Sequence, residues 1–352
     1  MTLVHCEACG LVQLAQTVDP KHLYHYGYGY RSGTTHTMRD HLKEIVDRAS
    51  TEVNLNLRSD VVLDIGCNDG TLLSFWPDKF IRVGFDPIAK EADGFRIVND
   101  FFNYGSYRRV SSEQAKVITA IAMFYDLPSP VDVAKDFYDI LDKDGIVVIE
   151  VAYLGAILKG AWDGVCHEHL EYYGLHQLRN ILTEAGFSVF HAELNDINGG
   201  SLQVWADKGV RPVKDSVSDI IKSEWMFDFE SFKLNAYKAR RQIKQKLLEL
   251  KDANATIDIY GASTKGNTLL QFIGLYNEIR WAADRNPEKV GKVTPGTRIP
   301  IVSEMASRED PPDYYLVLPW AFKKEFVERE KRLLEQGVKF IFPLPELEIV
   351  GH

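Results

Sequence analysis

The chain has 352 residues, 45% hydrophobic and 26% charged, with a formal net charge of -9 and no long Lys/Arg run. This is a globular balance with apolar material for more than one core. It argues against a nucleic-acid partner, which would need a row of cations against backbone phosphates, and against a membrane span, since no apolar run reaches bilayer length. The N-terminus lacks the basic-then-apolar pattern of a secretory signal, so a cytoplasmic location is expected. Four cysteines (Cys6, Cys9, Cys67 and Cys166), one close pair and two distant singles, make a poor disulfide framework.

Residues 1–50 read as an N-terminal segment. It holds the C-x-x-C pair Cys6 and Cys9, then the aromatic, glycine-rich Tyr24 to Tyr30, then a helical pattern from Met38 to Ala49. Tetrahedral structural zinc usually needs two such cysteine pairs. With one pair present, the expectation is an empty remnant; His5, His22 and His25 are the alternative ligands if zinc is bound.

Residues 51–210 change to short apolar runs separated by helical ones. Strands are predicted at Val61 to Ile65, Arg82 to Asp86, Lys116 to Ile121 and Gly145 to Glu150. Strands alternating with helices imply a doubly wound parallel sheet. The charged stretch from Ser216 to Asp252 reads as one or two helices, and residues 211–352 as a second, smaller α/β domain. Its strands are predicted at Thr256 to Tyr260, Ile279 to Ala283, Tyr314 to Leu318 and Val338 to Phe342.

The first strand runs through Asp64 into Gly66, Asn68 and Gly70 before a helix begins. A dinucleotide site would carry G-x-G-x-x-G here to seat pyrophosphate on the helix N-terminus. Instead a carboxylate precedes the first glycine. That would repel phosphate but suits an ammonium group. Gly84-Phe85-Asp86-Pro87 places a second carboxylate at the next strand end, where ribose hydroxyls fall, and Asp100-Phe101 offers an acceptor beside a ring, suited to adenine. Each piece alone could be a connecting turn or a helix cap. In this order they resemble the class I methyltransferases, with S-adenosylmethionine (SAM) as the implied cofactor and a Rossmann-like domain as the implied fold.

After the fourth predicted strand comes Cys166-His167-Glu168-His169-Leu170-Glu171-Tyr172-Tyr173, rich in groups that move protons near neutral pH. A zinc hydrolase would space its histidines as H-E-x-x-H, and this motif does not. In the last domain, Gly261-Ala262-Ser263-Thr264-Lys265-Gly266-Asn267 follows a strand and opens a helix. Backbone N–H groups and Lys265 there could hold a diphosphate, or the turn is structural.

Together, Y-G-Y-R-S-G-T, H-E-H-L-E-Y-Y, Asn198-Gly199-Gly200-Ser201-Leu202 and Y-G-A-S-T-K-G-N-T-L-L resemble the bacterial sugar C-methyltransferases. That resemblance runs over most of the chain. It implies methylation at C3 of a nucleotide-linked 4-keto-6-deoxy-sugar, dTDP- or GDP-linked. It also implies His169 as the catalytic base, Glu168 assisting and Tyr30 at the reacting centre. Tyr28, His167, Tyr172, Asn198, Ser263, Lys265 and Asn267 are the implied substrate contacts. Where the family often has Tyr before H-E-H, this chain has Cys166. The remaining alternatives are an O- or N-methyltransferase of a sugar or small metabolite, a nucleotide-sugar-binding protein without catalysis, or an isomerase using the same base.

Overall fold

The computed structural model describes every residue except 25–28, 57–58, 90–93, 275 and 352. The chain divides into two units. The first comprises 1–155 with 167–227, and the second 156–166 with 228–352. The division thus falls after residue 227, not after 210, and residues 1–50 belong to the first unit. The reason is local: in the helix Asp215–Glu224, the Glu224 carboxylate accepts from the N–H groups of Leu175 and His176, which secures it to the first unit.

In the first unit the apolar runs become a seven-stranded sheet. Its strands are β1 (Val61–Ile65), β2 (Ile81–Phe85), β3 (Arg96–Val98), β4 (Ala115–Ile121), β5 (Leu141–Ala152), β6 (Ser188–Asn195) and β7 (Ser201–Asp207). The order is β3-β2-β1-β4-β5-β7-β6. The first five strands run parallel, and β7 is antiparallel to both β5 and β6. All five residues of β1 are buried, as a parallel strand covered on both faces requires. The expected Rossmann-like domain is therefore present. Strands β3, β6 and β7 extend it beyond the four predicted strands.

The helical pattern near residue 38 is the helix His36–Glu52. Thr35 caps it by accepting from the Met38 N–H, and Met38, Leu42, Ile45, Val46 and Ala49 form its buried stripe. They pack with Val62, Leu73, Trp76 and Trp205 in one core. Ahead of it, the hairpin Leu3–His5 with Val12–Leu14 pairs with the two-residue strand Glu171–Tyr172.

The second unit is a six-stranded sheet of β8 (Ile257–Tyr260), β9 (Ala282–Asp284), β10 (Ile301–Ser303), β11 (Tyr314–Val317), β12 (Lys339–Phe342) and β13 (Glu348–Val350). The order is β10-β9-β8-β11-β12-β13, parallel apart from the last strand. The long helix Phe229–Asp252 buries Ile243 and Leu247 against Ile257 and Leu270. Residues 156–166 join this unit because Trp162 packs edge-on to Phe272 and the Trp320 indole N–H donates to Asp163. Among the described residues no helix is long and apolar enough to cross a membrane.

Candidate active site

The site is built on the carboxyl ends of β1, β2 and β4, where a doubly wound sheet opens. Asp64 is the penultimate residue of β1, with 4% of its surface exposed, and the Thr119 hydroxyl of β4 donates to it at 2.6 Å. Burial pushes Asp64 up to about 7. The chain then turns through left-handed positions at Gly66, Asn68 and Gly70. A Cβ at Gly66 would stand 2.8 Å from Met123 Cγ, and one at Gly70 would strike the Phe95 ring. The glycines are thus demanded by both conformation and space.

Asp86 ends this turn's other wall. Its Oδ2 accepts from the Asn68 N–H at 3.0 Å and its Oδ1 from the Ile88 N–H at 2.8 Å. Burial raises its pKa, opposed by those N–H groups and by Arg31. A cavity of about 480 Å³ lies between these loops, within the range of small-molecule sites. Of the predicted cofactor residues, Asp64, Gly66, Asn68, Asp86, Pro87, Asp100 and Phe101 line it. Gly70 does not; it shapes the turn and starts the helix Thr71–Ser74. Two carboxylates, a close backbone turn and the Phe101 and Phe102 rings fit the amino-acid, ribose and adenine parts of SAM.

Sequence reading overlooked Tyr24, Ala122, Met123 and Asp126, which also line the cavity. The signal for the last three was available, because they follow the carboxyl end of β4. Ala122 adopts φ 56, sparsely populated for a residue with a Cβ, and donates its N–H to Glu150 O.

The predicted catalytic residues have different placements. Tyr30 lines the cavity with 42% of the residue exposed, and burial pushes its hydroxyl up to about 12. Its carbonyl accepts from the Asn68 side chain, while the Ser32 and Gly33 N–H groups donate to Asn68 and Asp69. The N-terminal segment is therefore laced to the glycine turn.

His169 is buried at 6% exposure, with its ring 4.1 Å from that of Tyr125 and 6.4 Å from that of Tyr172. It is not in the cavity wall, but Tyr125 lies between Met123 and Asp126 in sequence, and both of those are. The H-E-H segment is irregular chain, held by Leu170, whose N–H donates to Tyr125 O and whose carbonyl accepts from the Leu14 N–H. His167 is exposed and Glu168 half-buried. Asn198, at φ 55, lies in the turn between β6 and β7. Tyr28 lies outside the described residues.

Near this edge the Glu150 carboxylate, 1% exposed, accepts from His41, Asn195 and Gln203. Burial disfavours charge on His41, but the hydrogen bond and charge of Glu150 win and raise its pKa.

In the second unit, Ser263 accepts from the Gly266 N–H as helix cap, and the Ala262 N–H is taken by Asp284. Gly266 is a packing glycine: a Cβ there would meet Leu318 at 2.7 Å. Lys265 favours the carboxylate form of Asp163, although burial raises that group overall. Cys6 and Cys9 are free thiols, with Cys6 lowered by hydrogen bonds from Cys9. Among the described residues no group of three or more His, Cys, Asp or Glu could hold a metal.

Comparison with known proteins agrees with this geometry. A methyltransferase domain family matches residues 34–192, and the C-methyltransferase C-terminal domain family matches residues 196–345. The C-methyltransferase NovU of Streptomyces niveus is 29% identical over all of this chain and 87% of its own length. The chain is a SAM-dependent methyltransferase. The C-terminal family match and the full-length relative are what make this methyltransferase similar to the C-methyltransferases. A tRNA U34 carboxymethyltransferase of Campylobacter lari is 30% identical over 28% of the chain and 37% of its own length. Among solved structures, a putative methyltransferase bound to the Haloferax volcanii Trm112 activator covers 50% of the chain and 92% of its own. It has 13% identity and a TM-score of 0.39. The plantazolicin methyltransferase BamL, solved with S-adenosylhomocysteine, covers 49% and 85%, again with 13% identity and a TM-score of 0.39.

Proposed function

We propose that this methyltransferase acts on a nucleotide-linked 4-keto-6-deoxy-sugar, dTDP- or GDP-linked, and methylates the carbon beside the ketone, C3. The observation that carries the reading is the contact of His169 with Tyr125, which brings a buried imidazole next to the chain that walls the SAM cavity. Carbon becomes nucleophilic only after a proton alpha to the ketone is removed. His169 takes that proton as general base, with Glu168 assisting. Tyr30, whose raised pKa keeps its hydroxyl protonated, donates to the developing oxyanion. Asp64 holds the ammonium group and Asp86 the ribose hydroxyls of the cofactor. SAM, when bound, supplies the electrophilic methyl group.

His167, Tyr172 and Asn198 are assigned to the sugar; within the second unit, Ser263, Lys265 and Asn267 form a turn suited to a diphosphate. Ser263 would contribute while its oxygen also caps the helix.

The deciding experiment incubates the protein with SAM and dTDP- or GDP-linked 4-keto-6-deoxy-sugars in deuterated water, followed by mass spectrometry. Methylated sugar and alpha-deuterium uptake are expected, both lost in His169→Ala with SAM affinity kept within a few-fold. Full turnover by His169→Ala would refute the assignment of the base. Methyl transfer without alpha exchange, on oxygen or nitrogen acceptors, would refute the substrate class.

A further inference from the structure

Asp126 is the cavity-wall group that the mechanism above leaves without a task. It is the last residue of the short 3-10 turn Phe124–Asp126 after β4, on the same wall as Ala122 and Met123, and the next residue back, Tyr125, carries the contact to His169. The Tyr24 hydroxyl donates to its Oδ2 at 2.7 Å. Its Oδ1 is buried and, among the described residues, has no hydrogen-bond partner. A buried carboxyl oxygen without a partner is costly. Such an atom calls for a ligand or a proton.

Burial and a like charge discourage its ionisation. Burial is the main cause holding its pKa well above the usual carboxylate range, Glu168 adds like-charge repulsion, and only the Tyr24 bond opposes them. Tyr173 also feels the Asp126 charge, and Asp19, Lys21 and Tyr30 share its cavity wall. A neutral carboxylic acid has one acceptor oxygen and one O–H. Tyr24 uses Oδ2 as the acceptor, so the proton belongs on Oδ1. The residue keeps partial exposure, and the terminal torsion of aspartate is soft, so Oδ1 can turn to a ligand without backbone movement.

We propose that Asp126 is a further catalytic residue that donates a hydrogen bond from Oδ1 to the ketone oxygen of the acceptor. This rests on the keto-sugar reading above. In the enolising step the alpha C–H bond breaks and its proton goes to the base. The electron pair forms the C=C bond, and the carbonyl π pair moves onto oxygen, where the Asp126 O–H meets the new charge. The acid keeps its proton, so nothing else is consumed. An apolar wall would leave the oxyanion to Tyr30 alone.

The test follows alpha-deuterium exchange of the keto-sugar in deuterated water with S-adenosylhomocysteine bound, a readout independent of methyl transfer. Asp126→Ala should slow exchange about 10²-fold, the scale of one lost oxyanion donor. Asp126→Asn, whose amide still donates, should recover at least tenfold of that loss. Wild-type exchange should fall on the alkaline side as Asp126 ionises, and the asparagine variant should lack that limb. S-adenosylhomocysteine affinity reports that the fold is kept, and if the alanine variant loses it, the isosteric asparagine variant decides. Exchange within threefold of wild type in Asp126→Ala, or an unchanged alkaline limb in Asp126→Asn, overturns the proposal while the keto-sugar reading stands. A wild-type protein that exchanges no keto-sugar overturns both.

Discussion

Asp86→Ala is the perturbation whose size the geometry sets most directly. The carboxylate is 7% exposed and bridges two loops, accepting from the Asn68 N–H at 3.0 Å and the Ile88 N–H at 2.8 Å. Asn68 and Ile88 both line the cavity, so the side chain shapes the wall as well as offering a contact to ribose. A hydrogen bond to a charged group contributes about 1.5–3 kcal/mol, which is about 10- to 150-fold in affinity. Losing the bridge also releases two backbone donors, so the upper half of that range is expected. Isothermal titration with SAM and S-adenosylhomocysteine at fixed salt measures it. Turnover at saturating SAM should recover substantially, because the residue does not touch the acceptor carbon. A dissociation constant within twofold of wild type would refute the argument.

Asp64 is protonated in the folded protein up to about pH 7 and in the unfolded chain only to about pH 4. Folding therefore takes up a proton between those values, and this group's contribution to stability falls as pH rises through that window. Asp64→Asn, which can still accept from Thr119, should raise the melting temperature of the ligand-free protein at pH 8 and leave it unchanged near pH 4; equal shifts at both pH values would contradict this. Gly70→Ala should destabilise by about 2–4 kcal/mol, combining a left-handed backbone with a Cβ 2.5 Å from the Phe95 ring. Calorimetry should show a drop of several degrees, and a shift under about 1 °C would mean the ring yields freely.

The residues that line the cavity at the ends of β1 and β2 were legible because their signals are local. Asp64, Gly66 and Asn68 sit within five residues, and Asp86 ends the next strand, so strand ends and turn chemistry suffice. The Tyr24 bond to Asp126 spans 102 positions and has no local signature. Strands β6 and β7 were passed over even though the Asn198 turn between them drew notice. β7 is buried at all seven positions although Ser201, Gln203 and Asp207 are polar, so its residue types do not advertise a core strand. The excursion of residues 156–166 into the second unit was missed for a related reason. Residues 156–166 look like an ordinary connector until Trp162 and Asp163 meet Phe272 and Trp320, more than 100 positions later.

That excursion makes the two units inseparable by a single cut. The chain leaves the first unit after Gly155, contributes eleven residues to the second, returns at His167, and leaves again after Phe227. A fragment ending at 227 would carry Trp162 without Phe272 and a carboxylate at Asp163 without the Trp320 indole. A fragment starting at 228 would lack the tryptophan its core is shaped around. The segment that returns from this excursion opens directly into His167-Glu168-His169. Trp162 and Asp163, which belong to the second unit, are thus only a few residues in sequence from the His169 imidazole of the first.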